Sequence, residues 1–227
     1  MPSTSSLRSG ASPTLPASSQ STKSATGSYW SWKMNRNIQW RSVDELNAFK
    51  ILDASPRVSK FHRLWFLFPL CLKNMTLQLY PALLVRSDEV LKIWKIITAS
   101  GASTPKSQQR QVVLWWVRRY NLTVYRIIPR NWLAQQPQLE NIDTILKWGA
   151  REIHPKGKKA ALRLILSAGG ITWSDCKAKS LGPHTTRYIC RLVLEGRLDF
   201  VVNKPLEKYT VFTPCTPQTS RLNLFGV

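Results

Sequence analysis

Hydrophobic positions along this chain recur at two periods, and the switches between them mark out the expected elements. Before Tyr29 there is no period: residues 1–28 are mostly Ser, Thr, Pro, Ala and Gly, with Arg8 and Lys23 the only charges. Such a segment buries too little apolar area to offset its ordering entropy, so a disordered arm is expected. Tyr29, Trp30, Trp32 and Ile38 then suit a strand or strand pair. In "SVDELNAFKIL", Ser42 as N-cap and Glu45 three residues on form a capping box, with Asp44 in the positive first turn. This predicts a first helix, closed before Pro56.

Val58 to Leu72 reads as extended, and Leu77 to Val85 as a further strand interrupted by Pro81. In "SDEVLKIWKIITASG", Ser87 can cap and Val90, Leu91, Trp94 and Ile97 share a helical face, which predicts a second helix. Val112 to Ile128, dominated by β-branched and aromatic residues, reads as two strands broken at "RRYN". A third helix runs from near Pro137 to Gly149, with a stripe of Leu139, Ile142, Ile145 and Leu146. "KGKKAALRLILSAGG" predicts a fourth, with Leu162, Ile165 and Leu166 inward and Gly169-Gly170 as its stop. "TTRYICRLVLEGRLDFVVNK" predicts a hairpin turning at Glu195-Gly196, and Tyr209 to Phe212 a last short strand. The class is therefore α+β: an antiparallel or mixed sheet packed with about four helices. It is organised as an arm (1–28), a single basic domain (29–213) and a loose tail (214–227).

Charge changes the picture more than composition does. The chain carries 33 Lys+Arg against 12 Asp+Glu, a formal net charge of +21. A field of that sign concentrates polyanions, meaning nucleic acid or an anionic membrane surface. The basic residues adjoin aromatics, most densely in "WWVRRY", where Arg118 and Arg119 sit between Trp116 and Tyr120. Lysine and arginine neutralise phosphates, and aromatic faces stack on unpaired bases. The same pattern also describes strands with tryptophans inward and arginines outward. Arg118, Arg119, Arg126 and Arg130 form one candidate polyanion-binding cluster. Lys156, Lys158, Lys159 and Arg163 form a second, at the start of the fourth helix, where cations oppose the helix dipole.

Other chemistry is sparse. Cys71, Cys176, Cys190 and Cys215 show no CxxC pairing, which points to a reducing compartment rather than a disulfide framework. The spacing Cys176-x7-His184-x5-Cys190 could supply three zinc ligands, but lacks the paired spacing of structural sites, and no metal or other cofactor is expected. No phosphate-cradling glycine loop or clustered acid pair is visible, so catalysis is not expected. The apolar run Leu64 to Leu72 is less than half the ~20 residues a spanning helix needs. With a polar start and no signal peptide, an intracellular protein is expected.

"YPAL" (Tyr80, Pro81 and Leu83 carrying the pattern) is similar to the YPxL peptides with which enveloped viruses recruit budding machinery. Together with the Ser/Thr/Pro arm and the compact basic α+β body, it gives a chain that resembles a matrix protein of a negative-strand RNA virus, of the rhabdovirus type. The resemblance implies a non-enzymatic structural protein of the virion and of host cytoplasm or nucleus. Such a protein binds ribonucleoprotein and anionic membrane peripherally and self-associates. The alternatives are a nucleic-acid-binding capsid, silencing-suppressor or movement protein, and an enzyme of unknown reaction.

Overall fold

The structure, a computed structural model, describes residues 25–64, 68–72, 75–77, 82–88, 90–96, 124–178 and 182–215. Residues 1–24 of the expected arm, most of the expected tail and the first of the two strands expected from Val112 onward lie outside the described residues. The arm expected to reach residue 28 runs too far, since Gly27 and Ser28 already belong to a strand. The class is α+β, with six helices and four small sheets among the described residues.

The chain opens with the antiparallel hairpin β1 (Gly27–Ser31) and β2 (Arg36–Trp40), in register Tyr29↔Ile38. Helix α1 (Val43–Ala54) follows, and the Ser42 hydroxyl accepts the Glu45 N–H at 3.1 Å as expected. The Glu45 carboxylate does not complete the box on Ser42. One oxygen accepts the Arg41 N–H and the other meets Arg63 at 2.8 Å in a buried ion pair. At the other end of α1, the Lys33 ammonium donates to the carbonyls of Leu52, Ser55 and Val58, and so caps the negative end of the helix.

Strands β3 (Val58–Leu64), β6 (Ala82–Ser87), β7 (Val90–Ile96) and β8 (Val124–Ile128) form a mixed sheet in that order. The pairs β3–β6 and β6–β7 are antiparallel, and β7–β8 is parallel. β4 (Phe68–Leu72) and β5 (Met75–Leu77) make a separate antiparallel pair. The helix expected after Ser87 is thus a strand. Ser87 pairs with Val90 across a two-residue turn, with Asp88 at φ +47°. The apolar run of β7 does not alternate because this inner strand is covered on both faces: its neighbours Ile93 and Trp94 are both buried. Broken only by Lys92 and Lys95, three apart, the run imitates a helical stripe.

After α2 (Arg130–Leu133), helices α3 (Gln138–Gly149) and α4 (Pro155–Ala168) fall where the periodicity places them, except that Leu166, expected inward, is exposed, and Gly169 ends α4 at φ +75°. Then come β9 (Ile171–Thr172), α5 (Trp173–Lys177), α6 (Thr185–Leu194), β10 (Leu198–Asp199) and β11 (Val211–Pro214). These three strands form an antiparallel sheet in the order β10-β11-β9. The hairpin expected at Glu195-Gly196 is therefore a helix end. The Arg197 N–H bonds the Leu192 carbonyl at 2.8 Å and the Gly196 N–H the Val193 carbonyl at 2.9 Å, with Gly196 at φ +68°. That is the paired bonding of a Schellman cap. Residues with strand preference form a helix here because Tyr188, Ile189, Leu192 and Val193 bury together at helical spacing, and burial overrides propensity.

Apolar residues of α1, the mixed sheet, α3 and α6 belong to one core. No helix among the described residues is long and apolar enough to cross a membrane.

Candidate nucleic-acid interface

Helix α4 contains no acidic residue. Its inward face carries Ala161 and Ile165, while Lys156, Lys159 and Arg163 are exposed on the opposite side. Spacings of three and four residues put these cations in one outward stripe. None of the three makes a hydrogen bond or ion pair among the described residues, and Leu164 and Leu166 flank the stripe at 51% and 57% exposure. Lys158 differs: its ammonium meets both Glu195 oxygens at 2.7 Å, which ties α4 to the end of α6 and neutralises the charge. Three of the four cations expected at this helix are therefore available.

The order α4, β9, α5, α6, β10, loop, β11 follows the element order of a helix–turn–helix with a two-stranded wing. Thr172 and Asp175 form a full capping box at the start of α5. Asn141 of α3 ties the wing loop to the helices. Its amide donates to the carbonyls of Val202 and Lys204, both at 2.7 Å, and its oxygen accepts the Leu206 N–H at 3.2 Å. On the wing, Lys204 and Lys208 are exposed, and Tyr209 is 72% exposed beneath the Lys208 ammonium.

In a DNA-reading helix–turn–helix the second helix offers an open face to the major groove. Helix α6 does not. Gly149 at the end of α3 lies against the Cys190 and Arg191 backbone, so closely that a Cβ there would be 2.7 Å from the Cys190 carbonyl carbon. Arg191 turns back to α3, donating to Gly149 O at 2.6 Å and Arg151 O at 2.8 Å, and lies over the Trp32 ring. Only the start of α6 faces outward. There His184 and Arg187 join Glu152, His154 and Tyr188 around a cleft of about 500 Å³ between the beginnings of α4 and α6. Two histidines thirty residues apart in the chain thus line one cleft, which a hairpin reading of residues 185–204 hides.

The remaining expected residues are scattered. Arg118, Arg119, Tyr80 and Pro81 lie outside the described residues, as does the connection from β7 to β8. Arg126 falls within β8, opposite Trp94 in register. Arg130 starts α2 and is exposed, 3.4 Å from Asp44. Leu83 is fully buried in β6. Cys176 and Cys190 are core residues. Burial pushes the Cys176 thiol up to about 12 and raises that of Cys190 as well, so both stay protonated. No group of three potential metal ligands occurs among the described residues. No protein-family model matches this chain, and no curated protein matches it.

Proposed function

We propose that this protein binds nucleic acid electrostatically through the outward stripe of α4, the start of α6 and the wing. The observation that carries the reading is a helix–turn–helix and wing topology that bears the exposed Lys156, Lys159, Arg163, Lys204 and Lys208 and the half-buried Arg187. Topology alone is an analogy; the cations give it a physical mechanism. Because α3 covers α6, the contacts fall on phosphates and not on base edges, and binding is indifferent to sequence. No reaction is assigned.

A second reading has its own supporting observation. Leu164 and Leu166 are exposed beside the α4 stripe, and apolar side chains next to cations suit the surface of an anionic membrane. In that reading the protein is of the viral matrix type, condensing ribonucleoprotein on a membrane and self-associating.

One experiment separates them: anisotropy with duplex and single-stranded oligonucleotides across a salt series, alongside flotation with anionic liposomes. Exchanging Lys156, Lys159 and Arg163 for Ala lowers the magnitude of the salt slope by about 3 if each neutralises one phosphate. An unchanged slope overturns the α4 interface. Liposome binding that survives competing RNA, and is lost in Leu164→Ser with Leu166→Ser, replaces the first reading with the second.

A further inference from the structure

We propose that the cleft between the beginnings of α4 and α6 is a phosphate-binding site, with Arg187 and the Tyr188 hydroxyl as its principal donors. The inference rests on the nucleic-acid reading above only for the source of the phosphate.

Tyr188 is the telling residue. It is 9% exposed, yet its hydroxyl makes no hydrogen bond among the described residues. The hydroxyl is not sealed from solvent, so it is free to donate to a ligand in the cleft. Its position is built, not incidental: the hydroxyl occupies the space that the missing side chain of Gly157 leaves in the first turn of α4. The hydroxyl thus sits beside an end of α4 that carries no acid, and it faces the cleft.

The groups around it have the sign of an oxyanion site. Arg187 lines the cleft half-buried and has no hydrogen bond or ion pair among the described residues. His154 and His184 are the N-caps of α4 and α6, and neither side chain caps its helix. The His184 ring stands edge-on to Tyr188, with centroids 6.3 Å apart. Glu152 is the only carboxylate on the lining among the described residues, and nearby Lys158 is taken up by Glu195. With one carboxylate opposing it, a ligand must carry enough charge and several acceptor oxygens to gain from an arginine, a phenol and two imidazoles at once. A phosphate group does so.

The phosphate can be part of a nucleic acid, terminal or internal, or inorganic phosphate, and the test separates these sources. Inorganic phosphate is titrated into the full chain while the imidazole NMR signals are followed, assigned with His154→Gln and His184→Gln. Anisotropy then compares 5′-phosphorylated, 5′-hydroxyl and unlabelled competitor oligonucleotides on wild type, Arg187→Gln and Tyr188→Phe. We expect phosphate to shift both imidazole signals and Arg187→Gln and Tyr188→Phe each to weaken phosphate binding about tenfold. Thermal melting should stay unchanged, since Arg187 holds nothing and phenylalanine keeps the ring against Gly157. A preference for the 5′-phosphorylated strand identifies a terminal phosphate, and equal competition by the 5′-hydroxyl strand an internal one. Phosphate that moves neither imidazole overturns the site, even if oligonucleotides bind and the nucleic-acid reading stands. Imidazole shifts without oligonucleotide binding keep the site and remove the nucleic-acid reading. Should a variant melt early, the titration of wild type still decides.

Discussion

Gly149→Ala tests the α3–α6 crossing on which the reading of α6 depends. The added methyl would lie 2.7 Å from the Cys190 carbonyl carbon, 2.8 Å from its oxygen and 2.9 Å from the Arg191 nitrogen. All three are backbone atoms, so no rotamer change relieves the contact and the helices must separate by some tenths of an ångström. Overpacking of that kind costs about 1–3 kcal/mol, and separation also weakens dispersion contacts along the seam. Arg191 would lose part of its 2.6 Å bond to the Gly149 carbonyl. Against this, alanine is preferred to glycine in a helix by about 0.5–1 kcal/mol. The net is a loss of roughly 1–2 kcal/mol, or about 5 °C in melting temperature for a chain of this size. Calorimetry or circular-dichroism melting reads it directly. A variant as stable as wild type, or more stable, refutes the close crossing, and with it the claim that α6 is closed to a DNA groove.

Other consequences are as direct. Replacing Glu45 by Gln removes the carboxylate that balances the buried Arg63 guanidinium and should cost about 3–5 kcal/mol by urea unfolding, while Glu45→Leu with Arg63→Met should cost much less. Burial draws the Lys33 ammonium down to about 7 from an ordinary 10.5, with Asp53 opposing. Above about pH 7 the unfolded chain then holds a proton that the folded chain lacks, so raising the pH favours folding. Urea midpoints should therefore rise from about pH 7 to about pH 9 more in wild type than in Lys33→Met, and parallel curves would contradict a depressed Lys33. Asn141→Ala removes three hydrogen bonds to the wing, so trypsin should cut after Lys208 much earlier than in wild type.

Local chemistry made some elements legible. Ser42 with Glu45 announced α1, Pro137 and Gly149 bracketed α3, and Gly169 closed α4, because caps and breakers act within a few residues. The two misread segments failed for a common reason: each takes its state from burial on more than one side. β7 lies between β6 and β8 with both faces covered, which erases the alternation that marks a strand. α6 is covered by α3, α4 and α5, and its Tyr188-Ile189-Cys190 and Leu192-Val193-Leu194 runs read as strand although Arg187 and Arg191, four apart, mark a polar stripe at helical spacing. The Glu195-Gly196 pair compounds this, since a glycine at positive φ serves a hairpin turn and a Schellman cap equally. The basic stripe was readable because charge needs no fold to be counted. That Lys158 is neutralised by Glu195 was not, because the partners are 37 positions apart.

The burial of α6 bears on mechanism as well as on prediction. A helix that reads bases needs polar side chains free along one face for two or three turns. Here α3 packs against α6, Gly149 permits the approach, and Arg191 is spent on the carbonyls at the end of α3. What stays open is a set of cations on α4 and the wing, together with the cleft at the start of α6. Groups in those places can follow a chain of phosphates or fix one of them, but they cannot compare one base pair with another. On the proposed reading, discrimination between nucleic acids must then come from strand ends, from shape, or from whatever recruits the protein. Duplexes differing only in sequence should compete equally for it.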